Sequence, residues 1–63
     1  MTAKRDRLAL RASVEFEILT ILEEHRPDHA ADDHARMLQA RLDIVIAAQK
    51  RRWKRAYQAA KVP

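Results

Sequence analysis

Sixty-three residues with no cysteine, no glycine and a formal net charge of +4 make one small domain, and they exclude a disulfide framework and any cysteine-thiolate metal site. A chain of this length buries only about 60% of the surface its unfolded form exposes, so association with another chain is the remaining common staple. The longest apolar run, Ile44 to Ala48, has five residues against the ~20 of a membrane-spanning helix, and charges at Arg7, Arg11, Glu15 and Glu17 break the first apolar stretch where a signal peptide needs continuity; the expectation is a cytoplasmic protein that does not insert in membranes.

Alanine, leucine, arginine, glutamate and glutamine dominate, and all of them favour helix. The absence of glycine removes the usual residue for a tight strand hairpin. The predicted class is therefore all-α. Helix 1 is expected over about residues 3–25, capped by Thr2. Its apolar residues, Leu8, Leu10, Ala12, Val14, Phe16, Ile18, Leu19, Ile21 and Leu22, occupy roughly two thirds of the circumference at 100° per residue. One partner helix covers a stripe of only about 100°. Arg26-Pro27-Asp28 is the one internal break, because proline forfeits a helical hydrogen bond and pushes the residue before it out of helical geometry. Asp28 is expected to cap helix 2, with Asp32 and Asp33 just inside its positive end.

Helix 2 is expected over about residues 29–61, followed by Pro63. It carries one coherent stripe of Ala31, Ala35, Leu38, Leu42, Val45, Gln49, Trp53, Ala56 and Ala60, and a smaller patch of Met37, Ile44 and Ala48. Gln49 reads either as a rim residue or as a paired core amide that helps fix register. A short connection implies antiparallel neighbours, giving a helical hairpin over residues 1–63. The excess apolar surface predicts a homodimer forming a four-helix bundle, since twofold dimers are the commonest oligomers. Val14, Phe16, Ile18, Leu19, Met37, Ile44 and Trp53 are the expected interface. Helix 2 should exceed helix 1 by about ten residues, or ~15 Å. The start of helix 1 then falls near residue 50, and residues 51–61 either project or pack on another chain.

Charge is segregated. Residues 1–11 carry +3 and residues 49–63 carry +6, whereas the stretch between them carries −5. Folding the hairpin brings both positive segments to one end. Lys50-Arg51-Arg52-Trp53-Lys54-Arg55 reads as an arginine-rich helical segment with an apolar back, joined by Lys4, Arg5 and Arg7. Such segments bind phosphates because each neutralised phosphate releases counterions, and arginine matches phosphate oxygens with paired donors. The same cations also complement the negative end of a helix dipole, and Trp53 and Tyr57 lie on the core stripe, where packing is their first role.

The second cluster, His25, His29 and His34 with Asp28, Asp32 and Asp33, surrounds the turn. His29 and Asp33 have the i,i+4 spacing that metal ligands also use, but the group reads as solvated turn residues, and no metal or cofactor is expected. The hydroxyls of Thr2, Ser13 and Thr20 lie far from these histidines, and no phosphate-cradling glycine loop exists. A catalytic role is therefore not expected. The sequence predicts a small binding or regulatory protein whose basic pole takes nucleic-acid phosphates, RNA or DNA. The alternative is a regulator or adaptor, of the anti-activator or inhibitor type, that docks a helical face or the basic pole on a partner protein with an acidic surface.

Overall fold

The structure, a computed structural model, describes residues 2–61, Thr2 by its backbone alone. The expected Thr2 cap and the Pro63 end of helix 2 lie outside what is described. The described residues form two helices, α1 (Thr2–His25) and α2 (Asp33–Lys61), packed against each other as an antiparallel hairpin.

The first helix ends where proline requires it. Arg26 leaves the helix and donates its backbone N–H to the Glu23 carbonyl at 3.3 Å, a tightened last turn. The connection then runs through residues 26–32, longer than the expected 26–28. Asp32, not Asp28, caps α2: its Oδ1 accepts from the Ala35 N–H at 2.8 Å, while its carbonyl accepts the first helical bond from Arg36 at 3.0 Å. A carboxylate in that position satisfies an otherwise orphaned donor and meets the positive end of the helix. The late start also separates His29 from Asp33, since His29 lies outside the helix on which both were expected to share a face.

Two contacts tie the turn to α2. Arg26 Nε donates to Asp43 Oδ1 at 2.6 Å and Nη2 to Oδ2 at 3.4 Å, and Gln39 Nε2 donates to the Pro27 carbonyl at 2.8 Å. The guanidinium holds the Asp43 carboxyl below its ordinary value, through the hydrogen bond first and charge second.

Along the seam the least exposed residues alternate by four and three. They are Leu8, Ala12, Glu15, Leu19 and Leu22 on α1, continued by Arg26 in the turn, and Ala35, Gln39, Leu42, Ile46, Gln49, Trp53, Ala56 and Ala60 on α2, with Thr20 and Ala48 half-buried beside this row. This is the 3.5-residue repeat of a coiled coil. Gln39 and Ile46 therefore hold the seam positions expected of Leu38 and Val45, which stand 38% and 46% exposed. A spacing of 100° per residue favours the larger apolar side chains; the pairing follows the heptad and accepts an amide.

Midway, Gln49 is the one buried polar side chain among the described residues. Its Nε2 donates to the Glu15 carbonyl at 2.8 Å and to Glu15 Oε1 at 2.7 Å, the paired-amide reading. Among the described residues only Ala12, Leu19, Ile46 and Ala56 are buried apolar residues. At ~1.5–3 kcal/mol for a fully buried Leu or Ile, this core is thin.

The thinness has a shape. The radius of gyration is 15.0 Å, against ~10.6 Å for a compact chain of this length. The chain exposes 5429 Å², about 1200 Å² more than the ~4200 Å² expected of a compact 7.3 kDa protein.

Candidate functional site

The antiparallel register places α1 and α2 residues beside each other at the open end. Leu8, Arg11 and Glu15 line one cavity of about 310 Å³ with Arg52, Arg55, Ala56 and Ala59. The start of α1 thus lies beside the last turns of α2, not near residue 50. Ala56 is buried and Ala60 half-buried, so the end of α2 neither projects freely nor waits for another chain. The reason is the longer turn: it takes four residues from the expected start of helix 2, leaving helices of 24 and 29 residues.

Both positive segments therefore occupy one pole. Residues 3–11 and 50–61 hold ten lysines and arginines against the single acid Asp6. Lys50, Arg51, Arg52, Lys54 and Arg55 are all exposed on α2, and Lys4, Arg5 and Arg7 are exposed on α1. Among the described residues, the ion pairs are Arg26–Asp43 and Arg36–Asp33. Neither uses a cation of the pole.

The expected basic residues do not all come together. Arg52 and Arg55 share the groove with Arg11, a residue whose place beside them sequence reasoning missed. The four-three spacing from Leu19 back through Glu15 and Ala12 to Leu8 was the available signal, since it sets Arg11 on the rim of the seam. Lys4, Arg5 and Arg7 lie further out, level with the last turns of α2. Lys50, Arg51 and Lys54 point away from the groove, on the other sides of α2 by their helical positions.

The hairpin has two unlike flanks. In an antiparallel heptad pair, residues just before one set of seam positions share a flank, and those just after the other set share the opposite one. The first flank carries Arg11 and Ile18 from α1, with Leu38, Val45 and Arg52 from α2; the shared groove of Arg11 and Arg52 fixes this assignment. The opposite flank carries Phe16, Asp43, Lys50 and Tyr57. There Phe16 and Trp53 have ring centroids 5.4 Å apart, Trp53 and Tyr57 are 5.8 Å apart, and Lys61 Nζ sits 5.8 Å from the Tyr57 centroid.

This geometry sorts the expected interface residues. Leu19 is only 4% exposed, its surface spent inside the hairpin, so it cannot contribute to a second interface. Trp53 is half-buried within the chain, against Phe16 and Tyr57, and serves the seam first. Val14, Phe16, Ile18, Met37 and Ile44 remain open, from 40% for Ile18 to 68% for Met37. Leu10, Ile21, Leu38 and Val45, which the sequence reading did not place in an interface, are also exposed.

Around the turn, the described residues contain no group of three or more metal-ligating side chains. None of the described helices is long and apolar enough to cross a membrane. Comparison with known protein families, curated proteins and solved structures returns no match for this chain.

Proposed function

We propose that this chain is a non-enzymatic, cytoplasmic binding protein that works as a homodimer, a four-helix bundle, and that its basic pole holds nucleic-acid phosphates. The observation that carries the reading is the gathering of ten cations at one end of the hairpin, with none of them in an ion pair among the described residues. Exposed cations of this kind gain by releasing the counterions condensed on a phosphate backbone. Lys50, Arg51, Lys54 and Lys61, off the groove, are the direct contacts, assisted by Arg5. Arg52, Arg55, Lys4 and Arg7 add to the field of the pole. Trp53 and Tyr57 brace the helix that presents these groups.

The experiment is a salt titration of binding to a defined duplex and to a single strand. Changing Lys50, Arg51 and Lys54 together to Gln removes three charges while keeping helix propensity. The expected result is a salt slope reduced by about 2.7, from ~0.9 per duplex phosphate contact, with helix content unchanged. A slope that does not move rules out these residues as contacts.

A second reading has its own observation. The exposed apolar flank, with Ile18 at 40% and Val45 at 46% exposure, fits a regulator that docks on another protein. That reading requires the isolated chain to be monomeric and to bind one protein in stoichiometric amount, which light scattering and nuclease-treated pull-downs test together.

A further inference from the structure

The apolar flank and the charge pattern beside it bear on how two copies meet. On this flank Ile18 lies one helical turn from both Val14 and Ile21, so the three form a row on α1. Val45 and Leu38, seven residues apart, form the matching row on α2. All five are 38–46% exposed. The register of the hairpin sets Val45 beside Ile18 and Leu38 beside the end of α1, so the two rows make one patch in the turn-proximal half of the flank.

The open half of the same flank is basic. Lys4, Arg7 and Arg11 share the helical side of Ile18, and Arg52 and Arg55 share that of Val45. No acid interrupts these five, and Glu15, the carboxylate in the groove, is held by Gln49. The turn half of the chain is acidic on balance, since residues 19–43 hold Glu23, Glu24, Asp28, Asp32, Asp33 and Asp43 against Arg26, Arg36 and Arg41, of which Arg41 lies on this flank between Leu38 and Val45.

We propose that the occupant of this flank is a second copy of the chain in antiparallel alignment, related by a twofold axis that passes near Ile18 and Val45. The surface carries the argument in two ways. The excess of about 1200 Å² exceeds the ~800 Å² per partner of a standard stable interface, so one flank suffices to bring the chain to ordinary compactness. The charges then select the orientation. Parallel stacking sets the basic pole of one copy beside that of the other, whereas antiparallel stacking sets each pole beside the net acidic turn half of its partner. Both arrangements bury the residues around Ile18 and Val45, so electrostatics decides between them. In this assembly Arg7 and Lys4 reach the level of the partner's turn, while Arg11 and Arg52, each seven residues from the axis, meet the partner's His25 and the partner's Leu38. Lys50, Arg51 and Lys54, on other sides of α2, stay in solvent.

The inference rests on the dimer in the proposed function and not on phosphate binding. Its test therefore uses no nucleic acid. The chain has no cysteine, so a single exposed one labels one position cleanly. Gln58→Cys, exposed on the outer side of α2, is spin-labelled and the distance between the two copies is read by pulsed dipolar spectroscopy. Antiparallel alignment about the Ile18–Val45 level separates the labels by about 26 helical residues, or ~40 Å. A distance under about 25 Å, near the width of a two-layer bundle of ~10 Å helices, overturns the orientation. A monomer in light scattering at micromolar concentration overturns the inference and the dimer together. Ile18→Glu is expected to abolish the dimer; a dimer that survives it with the long distance intact shows that another face is used. Because Ile18→Glu could unfold the hairpin, the Gln58-labelled wild-type flank supplies the independent reading.

Discussion

Gln49 is the one buried polar side chain among the described residues of the seam, and its neighbours explain why that is tolerated. Two acceptors on Glu15 take its amide protons at 2.7 and 2.8 Å, so the buried donors are satisfied, whereas an unsatisfied polar group there would cost roughly 1–3 kcal/mol. Gln49→Ala is expected to destabilise the hairpin by about 1–2 kcal/mol through the lost bonds and packing, measured by chemical denaturation. Gln49→Leu restores most of that loss, because it exchanges an amide for an apolar side chain of similar size. The Arg26–Asp43 pair shows a different dependence. Its partners are 37% and 56% exposed at the side chain, and the guanidinium lowers the Asp43 pKa from its ordinary value. A depressed carboxylate contributes stability that is present above the unfolded value of about 3.9 and is lost as pH falls through the folded one. Asp43→Asn should therefore lower the thermal midpoint at pH 6, and the gap to wild type should close in acid below the ordinary carboxylate range. A gap independent of pH would show that the pair does not hold the turn by charge.

Helix ends and register divide what the sequence reveals from what it conceals. The all-α class, the stop before Pro27 and the extent of helix 1 are legible because propensity and proline sterics act within a few residues. The start of α2 is less so. Asp28, Asp32 and Asp33 are all competent caps, and the choice of Asp32 depends on Gln39 reaching Pro27 and Arg26 reaching Asp43 across the turn, contacts that a linear reading does not contain. Asp32→Ala is expected to cost ~1 kcal/mol and to fray the first turn of α2, whereas Asp28→Ala should change stability by less than ~0.5 kcal/mol, the usual range for a surface site. Hydrogen exchange at Ala35 and Arg36 reads the difference. Register was half legible. The stripe through Ala35, Leu42, Gln49, Trp53, Ala56 and Ala60 is legible at 100° per residue, but that spacing also draws in Leu38 and Val45. The heptad puts Gln39 and Ile46 there, and this one step moves two large apolar residues onto the open flank. The basic pole was legible because a hairpin must bring its two ends together. The groove that Arg11 shares with Arg52 and Arg55 was not legible, because it depends on a turn four residues longer than expected.

At the scale of the whole molecule, shape and charge work together on any polyanion. The hairpin is 53 Å long between its outermost Cα atoms, with its cations at one end. Two parallel copies would concentrate these at one end of the bundle, where like charges ~8 Å apart repel by about 0.5 kcal/mol per pair even in water. Antiparallel copies instead carry a basic pole at each end, about one hairpin length apart. This separation makes phosphate binding depend on the length of the duplex. At 3.4 Å per base pair, a site of ~10 base pairs spans ~34 Å and reaches one pole, whereas ~25 base pairs span ~85 Å and reach both. With about four phosphate contacts per pole, the plot of log K against log salt should have a slope near −3.6 on the short duplex and near −7.2 on the long one. Electrophoretic or fluorescence titration at several salt concentrations measures both slopes. Equal slopes on the two lengths would mean that both poles act at one place, as in a parallel dimer, or that only one is used. An affinity in ~150 mM salt no tighter than the ~10⁻⁴ M of weak non-specific contact, on duplex and single strand alike, would remove nucleic acid as the ligand and leave the apolar flank and its protein partner as the functional surface.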